Sequence, residues 1–346
     1  MKHTLIRWML VALLAVGLAG VAGCGSDDSS KSGGSSSSAK KKIRVAMVTD
    51  IGGLNDRSFN ALAYKGLQQA KSKLGADIRV LTSKSNADYV PNLSSLARQK
   101  YDLVVAVGFL MADATAKVAK SFPSVNFAII DYSQSLLKGK PKNVHGLIFK
   151  EQEPGYLVGY MAGLYVKQKG GKQVVSSVGG QKIPPVDHYI AGYEAGAKKA
   201  NPSVKTVHAY SQDFVDQAKC KEIALNQIGE GSQVVFQVAG QCGLGALDAA
   251  KEKGVQGIGV DADQSYLGPQ ILTSALKRVD VAVFDTVKDI QAGRFQAGTD
   301  TTFETKNNGV GFGRVNAKGQ PFKAQVLQVQ KQIANGKVAN IPDTVK

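Results

Sequence analysis

From residue 43 onward, short apolar runs rich in Val, Ile and Ala alternate with longer segments in which apolar residues recur every three or four positions. Runs of that short kind predict strands buried on both faces, and the periodic segments predict amphipathic helices that cover them. Strands are expected at residues 43–49, 77–82, 103–107 and 126–130, then at 173–178, 205–210, 233–238 and 257–260. Helices are expected at 58–74, 90–98, 111–121, 156–169, 189–199, 217–228 and 244–253. Strands alternating with helices build parallel sheets through crossover connections. Two series of four strands therefore predict an α/β chain of two doubly wound, Rossmann-like lobes. The first series ends near Phe149, and Glu151-Gln-Glu-Pro-Gly155 opens the helix that begins the second. After Asp261 the pattern changes. Residues 271–276 and a helix at 279–293 suit a return to the first lobe, the Gly-rich stretch 302–315 reads as a hairpin, and 322–335 as a final helix. The expected layout is 41–149 plus about 263–297 for the first lobe, and 150–262 plus about 298–346 for the second.

The amino terminus does not follow this alternation. Lys2 and Arg7 precede an uncharged apolar run over residues 8–22, a length that fits a secretory signal and falls short of a membrane span. The run ends in Val21-Ala22-Gly23-Cys24. That sequence resembles the bacterial lipobox, in which a peptidase cuts before a cysteine whose sulfur has been acylated. Residues 1–23 are thus expected to be a lipoprotein signal peptide and Cys24 the lipidated mature terminus. The Ser/Gly-rich stretch 24–40 reads as a flexible tether. A lipid-anchored position on the extracytoplasmic face of the cell membrane is the resulting expectation.

The formal charge of the 346-residue chain is +16, or +14 once Lys2 and Arg7 leave with the signal segment. Such a balance raises the question of nucleic acid. The lysines are spread over helical segments, however, and aromatic residues do not interleave with them, so attraction to an anionic membrane or wall surface is the simpler reading and no nucleic-acid partner is expected. With Cys24 acylated, Cys220 and Cys242 remain as an even pair in an oxidising compartment. A disulfide between them would close a loop of roughly 21 residues and contribute roughly 3 kcal/mol in the chain-entropy model. Two buried thiols are the alternative.

Ligands of open parallel sheets gather outside the carboxyl ends of the strands. The loops there are polar and Gly-rich, including Asp50 to Gly53, Gly108-Phe109, Asp131-Tyr132, Gly179-Gly180, 211–216, 240–245 and 261–264. They carry no recognisable catalytic motif. A G-x-x-x-x-G-K-[ST] phosphate loop is missing, and Gly240-Gln-Cys-Gly243-Leu-Gly245 lacks the dinucleotide spacing. His3, His145, His188 and His208 are scattered, which leaves no zinc motif or triad to assemble. Asp50, Asp131 and Asp261 could form an acid/base set, but strand-end carboxylates serve equally well as acceptors for sugar hydroxyls or a base N–H. No enzyme activity, metal or cofactor is expected.

Several segments together resemble the basic membrane protein family, the substrate-binding lipoproteins of nucleoside-type ABC importers. The first is Val45-Ala-Met-Val-Thr-Asp50-Ile-Gly-Gly-Leu-Asn55-Asp56-Arg-Ser58-Phe59-Asn60. The second is Val178-Gly-Gly-Gln-Lys-Ile-Pro184-Pro185 with Ala191-Gly-Tyr-Glu-Ala-Gly196 just after it. Then come Ala218-Lys219, Ala239-Gly240, Gly259-Val-Asp261-Ala-Asp263-Gln264 and Thr273-Ser-Ala-Leu-Lys277-Arg278. Their order spans nearly the whole globule. The resemblance implies a type I periplasmic-binding-protein fold with three hinge crossings, closing on a purine nucleoside. By the same resemblance Phe59 and Phe214 stack on the base, and Asp261 takes the ribose hydroxyls with Lys277 and the backbone near Gly240 beside it. Asp50, Asn60 and Asp131 match positions that contact the base or the first-lobe wall. The implied partners are an ABC permease and ATPase, the membrane is touched only through the lipid, and a monomer is expected. Tyr64 stands where the family often has Trp, Asp213-Phe214-Val215-Asp216 replaces the usual Ser-Phe-Asn-Asp, and Cys220 replaces a small residue. The middle departure lies beside the stacking ring and bears on which solute is bound. A sugar receptor of the same architecture, a nucleoside-sensing surface protein and a nucleoside hydrolase are the alternatives.

Overall fold

The computed structural model describes residues 42–345, so the expected signal peptide, tether and Cys24 lie outside the described residues. The chain begins with β1 (Arg44–Val48), α1 (Phe59–Leu74), β2 (Asp77–Leu81), α2 (Tyr89–Arg98), β3 (Leu103–Ala106), α3 (Ala112–Ser121), β4 (Asn126–Ile130) and β5 (Val144–Phe149). It continues through α4 (Gln152–Lys169), β6 (Val174–Gly179), α5 (Pro184–Ala200), β7 (Lys205–Tyr210), α6 (Gln217–Gly229), β8 (Ser232–Val238), α7 (Cys242–Glu252) and β9 (Gln256–Asp261). It ends with β10 (Ile271–Lys277), α8 (Val279–Gln291), β11 (Asp300–Phe303), β12 (Val310–Phe312) and α9 (Lys323–Ala334).

These strands form two six-stranded sheets, ordered β11-β5-β4-β3-β1-β2 and β12-β10-β9-β8-β6-β7. The central strands are buried on both faces, as continuous apolar runs require when helices cover both sides, while the edge strands β2 and β7 are largely half-exposed. Among the described residues only β12 runs antiparallel, against β10. The architecture is the two-lobed α/β fold expected from the alternation. The strand β5 goes beyond the eight expected there, its apolar run being broken by His145 and Gly146.

Two expectations about the tail are corrected. Residues 271–277 do not return to the first lobe: β10 pairs parallel with β9, placing Ile271 opposite Gly257 and Leu276 opposite Asp261. An apolar run states that a strand is buried but not which sheet buries it. Nor do residues 302–315 form a hairpin. The strand β11 pairs parallel with β5 in the first sheet, and β12 joins the second. The first lobe is therefore re-entered at α8, whose Val279, Ala282, Val283 and Val287 share a core with Ile43 and Met47. It is left again between β11 and β12, so that both tail boundaries fall later than about 263 and 298. The chain thus crosses between lobes three times, after β5, after β10 and after β11.

Close helix packing fixes the second lobe around its site. Along the α4–α5 contact, a Cβ added to Gly159 would lie 2.0 Å from the carbonyl oxygen of Tyr193, and one on Gly196 would lie 2.1 Å from that of Tyr156. Only glycine permits this approach, and the pair of helices holds Tyr189 of α5 rigidly at the junction of the lobes. The helices α6 and α7 are joined by a disulfide between Cys220 and Cys242, both fully buried.

Candidate functional site

One cavity between the lobes gathers all eight residues expected to bind solute: Asp50, Phe59, Asn60, Asp131, Phe214, Gly240, Asp261 and Lys277. Most sit at or just past the carboxyl end of a strand, as open parallel sheets predict. Two of the strand-end aspartates, Asp131 at φ 67° and Asp261 at φ 60°, adopt the left-handed region that few residues other than glycine tolerate. Each lobe contributes one aromatic ring, Phe59 from the start of α1 and Phe214 from the loop before α6. Phe214 lies so tightly over Gly180 that a Cβ there would meet its ring at 2.2 Å.

At the first-lobe wall, Asp50 Oδ1 accepts hydrogen bonds from Asn60 Nδ2 at 2.7 Å and from the Gly52 amide at 2.8 Å. Burial pushes the Asp50 carboxyl up to about 6, against the opposing pull of the Asn60 bond. The entry to α1 is capped by Asp56, which accepts from the amides of Ser58, Asn60 and Ala61. That cap fixes the helix end from which Phe59 and Asn60 project.

Across the cavity, Asp261 accepts from Tyr189 Oη at 3.0 Å and from Ser58 Oγ at 2.7 Å, the second bond coming from the first lobe. Burial raises its carboxyl; Lys277 and the two hydroxyl donors oppose the rise without cancelling it. Lys277 does not bond to Asp261. The residue is 1% exposed, and its ammonium donates to Asp131 at 2.7 Å and to Glu151 at 2.9 Å. The charge also lies 5.0 Å from the centre of the Phe59 ring. Burial would lower its pKa, but Asp131 and Glu151 outweigh burial and raise it. Asp131 is pushed up to about 7 by burial, opposed by Lys277. Burial pulls Glu151 the same way, yet Lys277 and His188, whose Nδ1 stands 3.1 Å from Glu151 Oε2, win and hold it below the usual range.

Glu151, Tyr189 and Ser58 escape the sequence reading of the site. Glu151 sits in the segment that opens α4 and looks like helix-start chemistry, while Tyr189 falls on the apolar face of α5. Ser58 precedes α1 like an ordinary cap. Only proximity in space gives them a role. Among the described residues no group of three or more His, Cys, Asp or Glu is arranged to hold a metal ion.

A family model described as an ABC transporter substrate-binding protein, PnrA-like, matches residues 43–345. An ABC transporter nucleoside-binding protein, BmpA, of Lactococcus lactis is 36% identical over 95% of this chain and 97% of its own length. An uncharacterized lipoprotein of Pyrococcus horikoshii is 36% identical over 90% of this chain and 77% of its own. Among solved structures, a solute-binding protein of an ABC transporter system from Aeropyrum pernix superposes with a TM-score of 0.78 at 28% identity, covering 87% of this chain and 94% of that one.

Proposed function

Since this chain belongs to the Bmp family of PnrA-like ABC-transporter substrate-binding proteins, a family of solute binders and not of enzymes, we propose that its solute is a purine nucleoside. The observation that carries this reading is the pairing of chemistries in one cavity: an aromatic ring from each lobe, with hydrogen-bonding carboxylates beside them at Asp50 and Asp261. A flat base stacks between rings, each face contributing on the order of 1–3 kcal/mol. A ribose diol donates charge-assisted bonds to a carboxylate and accepts from an ammonium nearby, the pair that Asp261 and Lys277 offer. The name of the lactococcal relative points the same way.

The lobes meet through Ser58, whose hydroxyl reaches Asp261 and the Val260 carbonyl from the other lobe. A solute touching both lobes adds its contacts only when they are together, so binding shifts the hinge population toward closure. The closed form is then presented to an ABC permease and ATPase by a protein tethered through acylated Cys24 on the extracytoplasmic face. Mass spectrometry of the small molecules released when the purified protein is unfolded tests the reading. A nucleoside in the released fraction, or nucleoside-dependent thermal stabilisation of the refolded protein, is the expected result. Stabilisation by sugars alone would transfer the site to a sugar.

A further inference from the structure

The two oxygens of Asp50 have different surroundings. Oδ1 is committed to the protein, accepting from Asn60 Nδ2 and the Gly52 amide. Oδ2 has no protein donor among the described residues and lies at the cavity side, where a Cβ on Gly108 would stand 3.2 Å from it and 3.4 Å from the Phe59 ring. It therefore faces the edge of whatever lies on that ring. An atom that already accepts two N–H bonds cannot also carry the acid proton and donate to the ligand. When Asp50 is protonated, the proton goes to Oδ2, where nothing in the protein competes for it.

We propose that Asp50 Oδ2 selects among purines by a single proton: ionised, it accepts the N1–H of a 6-oxopurine nucleoside, and neutral, it donates to the bare N1 of adenosine. This rests on the nucleoside reading above and deepens it. Hypoxanthine and guanine carry hydrogen on N1; adenine presents a lone pair there. A buried ionised oxygen facing that lone pair leaves both acceptors unpaired, the kind of mismatch that discriminates strongly in a desolvated site. The carboxyl titrates near neutrality, at about 6, because burial disfavours its charge.

The charged and titratable groups around it are Asp56 from the loop before α1, Tyr89 from α2, Asp131 at the end of β4, and Asp261 and Lys277 from the second lobe. Asp131, pushed up to about 7, changes charge over the same pH range, and Asp50→Asn retains that change while removing the one at Asp50. The affinity ratio, compared between the wild type and that variant, isolates Asp50.

The test is calorimetry of solute-stripped protein with inosine and adenosine at pH 7.5 and pH 5, for the wild type and Asp50→Asn. In the variant, the Asn60 and Gly52 donors keep the amide oxygen on their side and turn the amide NH2 toward the ligand, reproducing the neutral acid. The wild type should favour inosine at pH 7.5, and the inosine-to-adenosine preference should fall by at least about tenfold at pH 5. Asp50→Asn should favour adenosine at both pH values with a ratio that no longer moves. If both nucleosides bind and the wild-type ratio is the same at both pH values, the Asp50 assignment is overturned while the nucleoside reading stands. Should that variant fail to fold, Asp50→Ala replaces it, and its ratio should likewise be the same at both pH values; a ratio that still shifts would overturn the assignment. Binding of neither nucleoside by folded wild type would remove the nucleoside reading, and this inference with it.

Discussion

Asp131 and Asp261 occupy equivalent corners of the two lobes, each buried, each at a strand end and each in the left-handed region. Their partners differ. Asp131 is gripped by an ammonium that a second carboxylate, Glu151, also holds, at two of the three places where the chain passes between lobes. Among the described residues Asp261 is met by hydroxyls alone, from Ser58 and Tyr189. A buried ion cluster is costly to break, because removing one member strands the others in a medium that solvates charge poorly. Hydroxyl donors can be exchanged for other hydroxyls at little cost. The first corner thus reads as a fixed part of the hinge and the second as the exchangeable half of the site, suited to a ribose diol.

The contrast is most sharply broken at Lys277. Lys277→Met leaves Asp131 without a cation and Glu151 with His188 alone, and should destabilise the fold by about 3–5 kcal/mol, read as a large fall in thermal midpoint. If the midpoint hardly moves, the cluster is not structural. Asp261→Ala should do the reverse. Its stability cost should be smaller, while ribonucleoside affinity drops by about 1.5–3 kcal/mol and affinity for the free base changes little, by calorimetry. Equal losses for nucleoside and base would take Asp261 away from the ribose.

Asp50 sharpens the comparison, having neither a cation nor a full set of donors. Its carboxyl is pushed from 3.8 to about 6 on folding, so between those values the folded state holds a proton that the unfolded state has released. Stability from this group is present at low pH and lost as pH rises through about 6. Asp50→Asn should accordingly stabilise the solute-free protein at pH 7.5 by about 1–3 kcal/mol, an advantage that fades below pH 5; chemical denaturation across that range checks it. Phe59→Ala and Phe214→Ala should each weaken nucleoside binding by about 1–3 kcal/mol. Changes within a factor of two in both would end the stacking account.

Much of this was legible in the sequence because the governing rules are local. Apolar runs mark buried strands, so β4 falls on residues 126–130 as expected. Strand ends mark ligand loops, which singled out Asp50, Asp131 and Asp261 before any geometry. What stayed hidden depends on distance in space. The strand β10 is as apolar as any first-lobe strand, and only pairing with β9 assigns it. The strand β11, Asp-Thr-Thr-Phe, exposes three residues and buries only Phe303 against Phe149, too short an apolar signal to mark a strand; its pairing with β5 assigns it. The bond from Lys277 to Glu151 joins residues 126 positions apart, and the helix-start composition around Glu151 concealed it.

The central claim is that a nucleoside spans both ends of one interlobe cavity, and calorimetry of the stripped, refolded protein with inosine, hypoxanthine and ribose tests it most directly. The account predicts saturable one-to-one binding of inosine, with hypoxanthine and ribose each weaker by at least about tenfold, since each meets only part of the site. Ribose binding as tightly as inosine, or inosine failing to bind a protein shown to be folded, would contradict it.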